Sequence, residues 1–206
     1  MAKPFGRWVH GYHGCDEELA RRVLLGEQEL RPSTNHYDWL GAGIYFWENG
    51  PVRALQFATE EAVRDRVKIR NPSVLGAHLY LGNCFDLLDV EFTLLLQKVY
   101  PAFLARAQQT QARLPENRLV RKDGSKGLHA LDGAVIEFAI DILEARKGRK
   151  FDTVRGAFWE GGPAFPASEI SLRSHIQIAV RNPECVLGYF KSNRPLTDET
   201  TAATVL

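Results

Sequence analysis

Apolar positions along the chain follow two different periods, and each period predicts one kind of secondary structure. Alternating or short apolar runs predict β-strands at 7–12, 44–47, 74–81, 84–88, 153–159, 174–180 and 185–190. Apolar residues three or four positions apart predict two long helices, over 90–110 and 128–146, joined by a polar connection at 114–127. The pattern therefore indicates an α+β fold in which residues 90–147 form a helical insertion into a mainly β framework.

Two shorter helices are predicted in the first third of the chain, each from a residue suited to begin it. Asp16 is a good N-cap residue, and Pro51 suits the first turn of a helix. Gly26 is expected to end the first of these helices. The expected inward-facing residues are Leu19, Val23 and Leu24 in the first helix, and Ala54, Phe57 and Ala58 in the second.

The composition is that of an ordinary globular protein. With 26 basic and 25 acidic residues the net charge is +1, which argues against a general nucleic-acid coat protein or a membrane-surface binder. Cys15, Cys84 and Cys185 form no CxxC pair, as is typical of a reduced, cytoplasmic protein. No signal peptide or membrane span is indicated. We expect one domain over 1–195 and a flexible tail at 196–206.

The predicted strand at 174–180 divides its side chains between an apolar and a polar face. Ile176, Ile178 and Val180 lie on one side. His175, Gln177 and Ala179 lie on the other. The apolar side belongs to a core, whereas the polar side faces either solvent, as at an ordinary sheet edge, or a polar cleft.

Two short motifs combine glycine with residues able to contact a ligand. Tyr12-His13-Gly14 stands at the predicted end of the first strand, where glycine lets a ligand approach the backbone. The run Gly41-Ala42-Gly43-Ile44-Tyr45-Phe46-Trp47 places aromatic rings beside flexible backbone, which suits stacking on a flat ring. It lacks the third glycine and the following helix of a dinucleotide-binding loop. Taken alone, His13 fits a structural histidine better than a ligand-binding one.

The order of these motifs resembles the ADP-ribosyltransferase fold, in the branch of poly(ADP-ribose) polymerases and diphtheria toxin. The shared pattern is YHG, a helix, a PS-x-N loop, GxGIYF and a second helix, and it covers about residues 7–90 and 150–190. The resemblance implies a split β-sandwich, with two packed and mainly antiparallel sheets around an NAD cleft. It leaves the insertion at 90–147 unmatched.

The family pattern of a histidine, a tyrosine and a glutamate on three strands assigns its first two positions to His13 and Tyr45. The resemblance implies that His13 binds the adenosine-side ribose of NAD and that the backbone of His13 and Gly14 holds the nicotinamide amide. Tyr45 and Phe57 would enclose the nicotinamide ring, although Phe57 is equally a core aromatic of its helix. NAD is then a substrate, and no metal is required.

The chain departs from the family at the third position. The matching strand, 174–180, carries no acid, and we place Gln177 where the family has glutamate. A glutamine keeps a hydrogen bond to the nicotinamide ribose but supplies no negative charge to an oxocarbenium-like transition state. Glu160 is our candidate to support that charge or to act as acid or base on the acceptor. Alternatively, Glu160 is an ordinary solvated loop residue. Trp159 beside it would either stack on an acceptor base or anchor the loop.

Other residues carry less specific indications. Ser33 and Asn35 are candidate NAD-binding residues that could equally form local turn hydrogen bonds. Cys15 lies beside the expected nicotinamide site without a base to activate it. Basic runs stand at 64–70, 118–126 and 146–150. These basic runs either form ordinary solvated surface or contact phosphates, acidic protein or RNA.

These residues together predict an NAD-dependent mono-ADP-ribosyltransferase with His13, Tyr45, Gln177 and Glu160 as its catalytic residues. The acceptor would be a protein or a nucleic acid. Many bacterial proteins of this resemblance are toxins or phage-defence effectors, which implies an antitoxin protein as a partner. The alternatives are a catalytically silent NAD- or ADP-ribose-binding module, an NAD glycohydrolase and an RNA 2′-phosphotransferase. The insertion would bind the antitoxin, cap the cleft or complete the core.

Overall fold

The computed structural model describes residues 6–35, 38–65, 68–118 and 128–192. The strands in these ranges are β1 (Trp8–Asp16), β2 (Ile44–Glu48), β3 (Pro72–Tyr80), β4 (Cys84–Asp86), β5 (Asn117–Arg118), β6 (Leu128–His129), β7 (Thr153–Phe158), β8 (His175–Val180) and β9 (Val186–Lys191). The helices are α1 (Glu17–Leu24), α2 (Pro51–Arg64), α3 (Val90–Thr110) and α4 (Ala130–Lys147). The tail predicted at 196–206 lies outside the described residues.

The predicted strands and helices are present, the β5–β6 ribbon was not predicted, and a further difference lies at the end of β1. We predicted that this strand ends at His13 and Gly14, but it continues to Asp16. The prediction was wrong because β1 and β3 pair antiparallel without interruption from Trp8↔Tyr80 to Asp16↔Pro72. The neighbouring strand supplies the backbone hydrogen bonds, so a glycine within the run does not end it.

Seven of the described strands form a single mixed sheet in the order β4-β7-β8-β2-β1-β3-β9, and β5 pairs with β6 as a separate ribbon. The pair β4–β7 is parallel, and the other neighbours are antiparallel. We expected two packed sheets, but β2 pairs with both β1 and β8 and so joins the strands into one. The β1–β2 link comprises only Gly11↔Glu48 and Tyr12↔Trp47. The sheet therefore has two blocks, β4-β7-β8-β2 and β1-β3-β9, which separate beyond this short link.

Two N-terminal helices begin as the sequence indicates. Asp16 caps α1 by accepting a hydrogen bond from the Glu18 amide, and Pro51 occupies the first turn of α2. Leu24 was predicted to face the core, but it is 39% exposed because α1 ends at that residue. None of the helices in the described ranges is long and apolar enough to cross a lipid bilayer.

Among the described residues, the buried side chains form three groups. The first core lies between α1 and the sheet and includes Val23, Phe46, Leu75 and Ile178. The second core lies under α3 and α4 and includes Phe85, Val99, Ile140, Val154 and Ala179. A third, smaller cluster of Trp47, Ala54 and Val74 lies under α2. Because helical and strand residues share the second core, the segment at 90–147 completes the core of the fold.

Candidate functional site

One face of β2 and β8 brings polar and aromatic side chains from distant parts of the chain together. Trp47 stands directly opposite Gln177, and Tyr45 stands directly opposite Ala179. On the other side of β8, Gln177 is opposite Gly156 of β7. Directly paired residues point to the same face of a sheet, so these side chains share one surface.

The alternation predicted for residues 174–180 is confirmed. Ile178 and Val180 are buried in the first core, whereas Ala179 is buried in the second core on the opposite face. Gln177 shares the face of Ala179 and is only partly buried. The polar face of β8 therefore lies between the second core and the cluster under α2.

Trp39, from the loop before β2, packs onto this face and holds the Gln177 side chain. Its indole Nε1–H donates a hydrogen bond to Oε1 of Gln177. A Cβ atom at Gly156 would lie 2.8 Å from Cη2 of Trp39, so the absence of a side chain there makes room for the indole. Since an indole N–H can only donate, the bond fixes the amide with its NH₂ group directed away from Trp39.

Glu160 is not a solvated loop residue. Its carboxylate accepts a hydrogen bond from Nη2 of Arg53 on α2, and the two residues are 9% and 8% exposed. The Arg53 guanidinium also lies over the Trp47 ring, 5.7 Å from its centroid. A second ion pair, between Arg173 and Glu60, joins the same loop to α2 at 2.8 Å. The β7–β8 loop is thus attached to α2 at two points.

Several buried donors in this cluster lack a hydrogen-bond partner among the described residues. They are Nε and Nη1 of Arg53 and Nε1 of Trp47. Leaving a buried donor unsatisfied costs roughly 1–3 kcal/mol, and more when the group is charged. In native proteins such donors are bound by an ordered water, an ion or a ligand, so the cluster is a candidate binding site.

Arg53 is the functional candidate that sequence reasoning missed. It stands four residues before Phe57 and so lies on the side of α2 predicted to face inward. A charged residue on an inward-facing side is unusual, and this was the signal in the sequence that could have identified Arg53. Trp47 belongs to the aromatic run predicted to stack on a flat ring, whereas no ligand contact was predicted for Trp39. His175, expected on the polar face, contacts Trp47 with ring centroids 6.2 Å apart. Its Nδ1 carries the hydrogen, because it bonds the Arg173 carbonyl at 2.7 Å.

His13 lies where the two blocks of the sheet separate. Its Nδ1–H donates to the backbone carbonyl of Tyr45 at 2.8 Å, bridging β1 and β2 just beyond their last paired residues. Burial lowers the pKa of His13, and the hydrogen bond to the Tyr45 carbonyl opposes that shift only in part. Burial therefore favours the neutral form of this imidazole.

The Tyr45 side chain is anchored to the loop that carries Trp39. Its hydroxyl donates to the Gly41 carbonyl at 2.7 Å and accepts from the Leu40 amide at 3.1 Å. Burial raises the pKa of Tyr45 well above its usual range. Phe57 instead packs on Trp47, with ring centroids 4.9 Å apart. Tyr45 and Phe57 belong to different packing clusters. The enclosure of a nicotinamide ring between them stays a prediction.

The remaining predicted residues near the first strand are in structural contacts. Asn35 donates to the Ser33 hydroxyl at 2.8 Å, so these two residues make the local turn bonds that were the alternative to NAD contacts. Gly14 lies under α2, where a Cβ atom would be 2.1 Å from the Ala54 carbonyl oxygen. Burial raises the pKa of the Cys15 thiol to about 12, which leaves it unreactive.

The basic runs are partly described. Arg64 pairs with Glu61 at 2.8 Å, and residues 146–150 are exposed. Arg66 and residues 119–127 lie outside the described residues. Trp159 is 69% exposed, so it does not anchor its loop by burial.

Two cavities lie away from this face. One of about 480 Å³ is lined by His10, Glu48 and His78, and one of about 440 Å³ by Phe151, Asp152 and Arg181. The part of the chain that the structure describes contains no group of three or more His, Cys, Asp or Glu side chains arranged to hold a metal ion. The cluster at Trp47, Arg53, Glu160 and Gln177 is the better candidate site, because its buried donors need acceptors.

Comparison with known proteins gives one distant relative. The uncharacterized protein MJ0359 of Methanocaldococcus jannaschii is 28% identical over 149 residues, covering 71% of this chain. The chain spans 63% of that protein's length. No protein-family model matches the sequence. No solved structure matches it either.

Proposed function

We propose that the chain is an NAD-dependent mono-ADP-ribosyltransferase that moves ADP-ribose to a macromolecular acceptor and releases nicotinamide. The observation that carries the proposal is the joining of Gln177, Trp47, Arg53 and Glu160, from four separate segments, into one cluster containing unsatisfied buried donors. The short link between the two blocks of the sheet supports the finer proposal of a split, ADP-ribosyltransferase-like fold.

The reaction breaks the bond between the ring nitrogen of nicotinamide and C1′ of its ribose. The bonding electron pair leaves with the ring, which departs as neutral nicotinamide. An acceptor oxygen or nitrogen forms the new bond to C1′ and loses its proton. Positive charge develops on the ribose in the transition state, so a nearby negative charge accelerates the reaction.

In the family this chain resembles, one glutamate both binds the nicotinamide ribose and stabilises the positive charge. Here Gln177 and Glu160 divide these two roles. The NH₂ group of Gln177, directed away from Trp39, donates to a hydroxyl oxygen of the nicotinamide ribose. Glu160 supplies the negative charge that an amide lacks. Its contact with Arg53, which lies over the Trp47 ring opposite Gln177, places that charge in the same cluster.

His13 and Tyr45 act at the opening between the two blocks. The neutral His13 ring, fixed by the Tyr45 carbonyl, orients the adenosine-side ribose through its second ring nitrogen. Tyr45 orders the loop carrying Trp39 through the Gly41 and Leu40 backbone. Its ring borders the nicotinamide, as the resemblance implies.

The test uses NAD labelled on its adenine ribose, incubated with the purified protein and with separated protein and RNA fractions of a lysate. We expect label in one fraction and release of nicotinamide. Glu160→Gln should reduce both by at least about tenfold, the loss of roughly 1.4 kcal/mol of transition-state stabilisation. The matched control is Glu169→Gln, an exposed carboxylate in the same loop, which should behave as the wild type. Equal activity of the two variants would remove Glu160 from the mechanism.

The hydrogen bond from Trp39 to Gln177 favours a second candidate, a catalytically silent NAD-binding module, because it already engages the Gln177 side chain. Calorimetric NAD binding without nicotinamide release from the wild-type protein would select this candidate. Release of nicotinamide with free ADP-ribose and no labelled acceptor would instead select a glycohydrolase.

A further inference from the structure

We propose that His10 and His78 form a two-histidine binding site for a divalent transition metal ion of the zinc and nickel class. One imidazole nitrogen from each residue holds the ion, and water fills its other coordination positions. The site shares no residue with the cluster proposed to act on NAD, and its test needs no transferase activity. No motif in the sequence assigned a role to either histidine.

The two histidines stand side by side on the outer face of the β1–β3 pair. His10 and His78 are directly paired residues of antiparallel strands, so their side chains leave the same face of the sheet. Their strand neighbours Val9 and Leu79 pack in the first core, so the histidines point away from that core. Both histidines are exposed.

The distance between the two rings suits chelation of one ion. The ring centroids of His10 and His78 are 5.0 Å apart, and their planes meet at 65°, so the rings are not stacked face to face. Two imidazoles on one zinc ion, with Zn–N bonds of about 2.1 Å, also have ring centroids about 5 Å apart. Strand pairing therefore sets the spacing that a chelating pair requires before any ion binds.

The ring nitrogens of both residues are available to an ion. Within the described ranges, neither imidazole takes part in a hydrogen bond or an ion pair. By contrast, the Nδ1 atoms of His13, His129 and His175 are each bonded to a protein oxygen. Neutral imidazole is the commonest protein ligand for metal ions, and it binds through such a free nitrogen.

A cavity and an aromatic neighbour complete the site. The cavity of about 480 Å³ that His10 and His78 line also borders Trp8 and Asn49, and it gives room for water ligands. Phe190 of β9 packs on both imidazoles, with its ring centroid 5.8 Å from that of His10 and 4.8 Å from that of His78. This packing restricts the rotation of the two rings. Restricting the ligands in advance lowers the entropy cost of binding.

The kind of ion follows from the available ligands. Imidazole nitrogens suit Zn²⁺, Ni²⁺ and Cu²⁺, whereas Mg²⁺ and Ca²⁺ prefer oxygen ligands. Glu48, which lines the same cavity, is engaged by Arg155 through Nε at 2.6 Å and Nη2 at 3.0 Å, so its charge is already neutralised. With two protein ligands, the ion binds more weakly than in a four-ligand structural site and exchanges readily.

The test titrates the untagged full chain with zinc chloride and with nickel chloride, followed by calorimetry at neutral pH. We expect one ion per chain for either metal and no binding of magnesium chloride. His10→Asn and His78→Asn should each weaken binding by at least about tenfold, because the second imidazole of a chelating pair acts as an intramolecular ligand. His129→Asn removes a histidine that already bonds Asp132, and this control should bind zinc as the wild type does.

Two further measurements assign the site. Zinc at about ten times its Kd should raise the melting temperature of the wild type by about 3–6 °C, and EDTA or either asparagine variant should abolish the rise. In NMR spectra, zinc should shift the ring signals of His10 and His78 ahead of those of the other histidines. Binding of neither metal at millimolar concentration, zinc affinity retained in folded His10→Asn and His78→Asn, or shifts confined to other histidines would overturn the inference.

Discussion

The indole of Trp39 donates a hydrogen bond to the side-chain carbonyl of Gln177 across 138 positions of sequence. The contact fixes the orientation of an amide that sequence comparison alone would leave undetermined. It also places an aromatic ring on the sheet at Gly156, the residue paired with Gln177 on β7. A loop residue with no motif of its own therefore shapes the candidate site.

Gln177→Ala should remove both the proposed ribose contact and the acceptor for the Trp39 indole. We expect nicotinamide release to fall by at least about tenfold and stability to fall by about 1–2 kcal/mol, since a partly buried donor loses its partner. Gln177→Glu keeps an acceptor and should restore the stability. The measurements are NAD turnover and urea unfolding, with Gln97→Ala, an exposed residue of α3, as control. A stable, fully active Gln177→Ala protein would contradict this assignment.

Gly156→Ala should displace Trp39, because the added methyl would lie 2.8 Å from its Cη2 atom and 3.1 Å from Cδ2 of Leu40. Overpacking of this kind costs about 1–3 kcal/mol. The matched control is Gly188→Ala in β9, where nothing lies within 4 Å of the new methyl. Urea unfolding and tryptophan fluorescence should report a change in the first variant and little in the second. Equal free energies of unfolding for Gly156→Ala and Gly188→Ala would show that the Trp39 indole can move without loss of stability.

The pH dependence of stability should carry a contribution from His13. Its pKa is lowered in the folded protein, whereas an unfolded histidine titrates near 6.5. Below pH 6.5 the unfolded chain thus binds a proton that the folded protein does not, and stability falls as the pH decreases toward the folded pKa. His13→Asn keeps a donor for the Tyr45 carbonyl and does not titrate. The melting temperature of this variant should therefore depend less on pH in this range than that of the wild type. A wild-type slope in His13→Asn would refute the assignment.

Asp16 connects α1 to the loop before β3. One carboxylate oxygen accepts from the Glu18 amide at 3.0 Å, and the other from the Arg70 and Asn71 amides at 2.7 and 3.0 Å. These bonds, the one from Asn71 foremost, lower the pKa of Asp16, so its stabilisation is lost as the pH falls below about 4.

Asp16→Ala should therefore reduce the free energy of unfolding at neutral pH by about 1–2 kcal/mol. Asp16→Asn should cost less, since its side-chain oxygen still accepts. Urea unfolding measures both, beside Asp141→Ala on the exposed face of α4. A loss no larger than that of Asp141→Ala would mean that the loop amides find other acceptors.

Local pattern predicted most elements of the fold. The period of α3 and α4, the cap at Asp16 and the alternation along β8 all follow from short-range geometry, and each is observed. The pattern failed where a partner strand decided the outcome. β1 continues past Gly14 because β3 pairs with it, and β2 joins two blocks that the resemblance placed in separate sheets.

The sequence by itself determined which residues alternate, which begin helices and which could carry chemistry, because these properties depend on neighbours a few positions away. Only the tertiary structure decided that Glu160 is buried against Arg53, that Trp39 binds Gln177 and that Tyr45 and Phe57 lie in different clusters. Each of these contacts joins segments far apart in the chain. Their formation depends on how the sheet and helices pack, which no local period encodes.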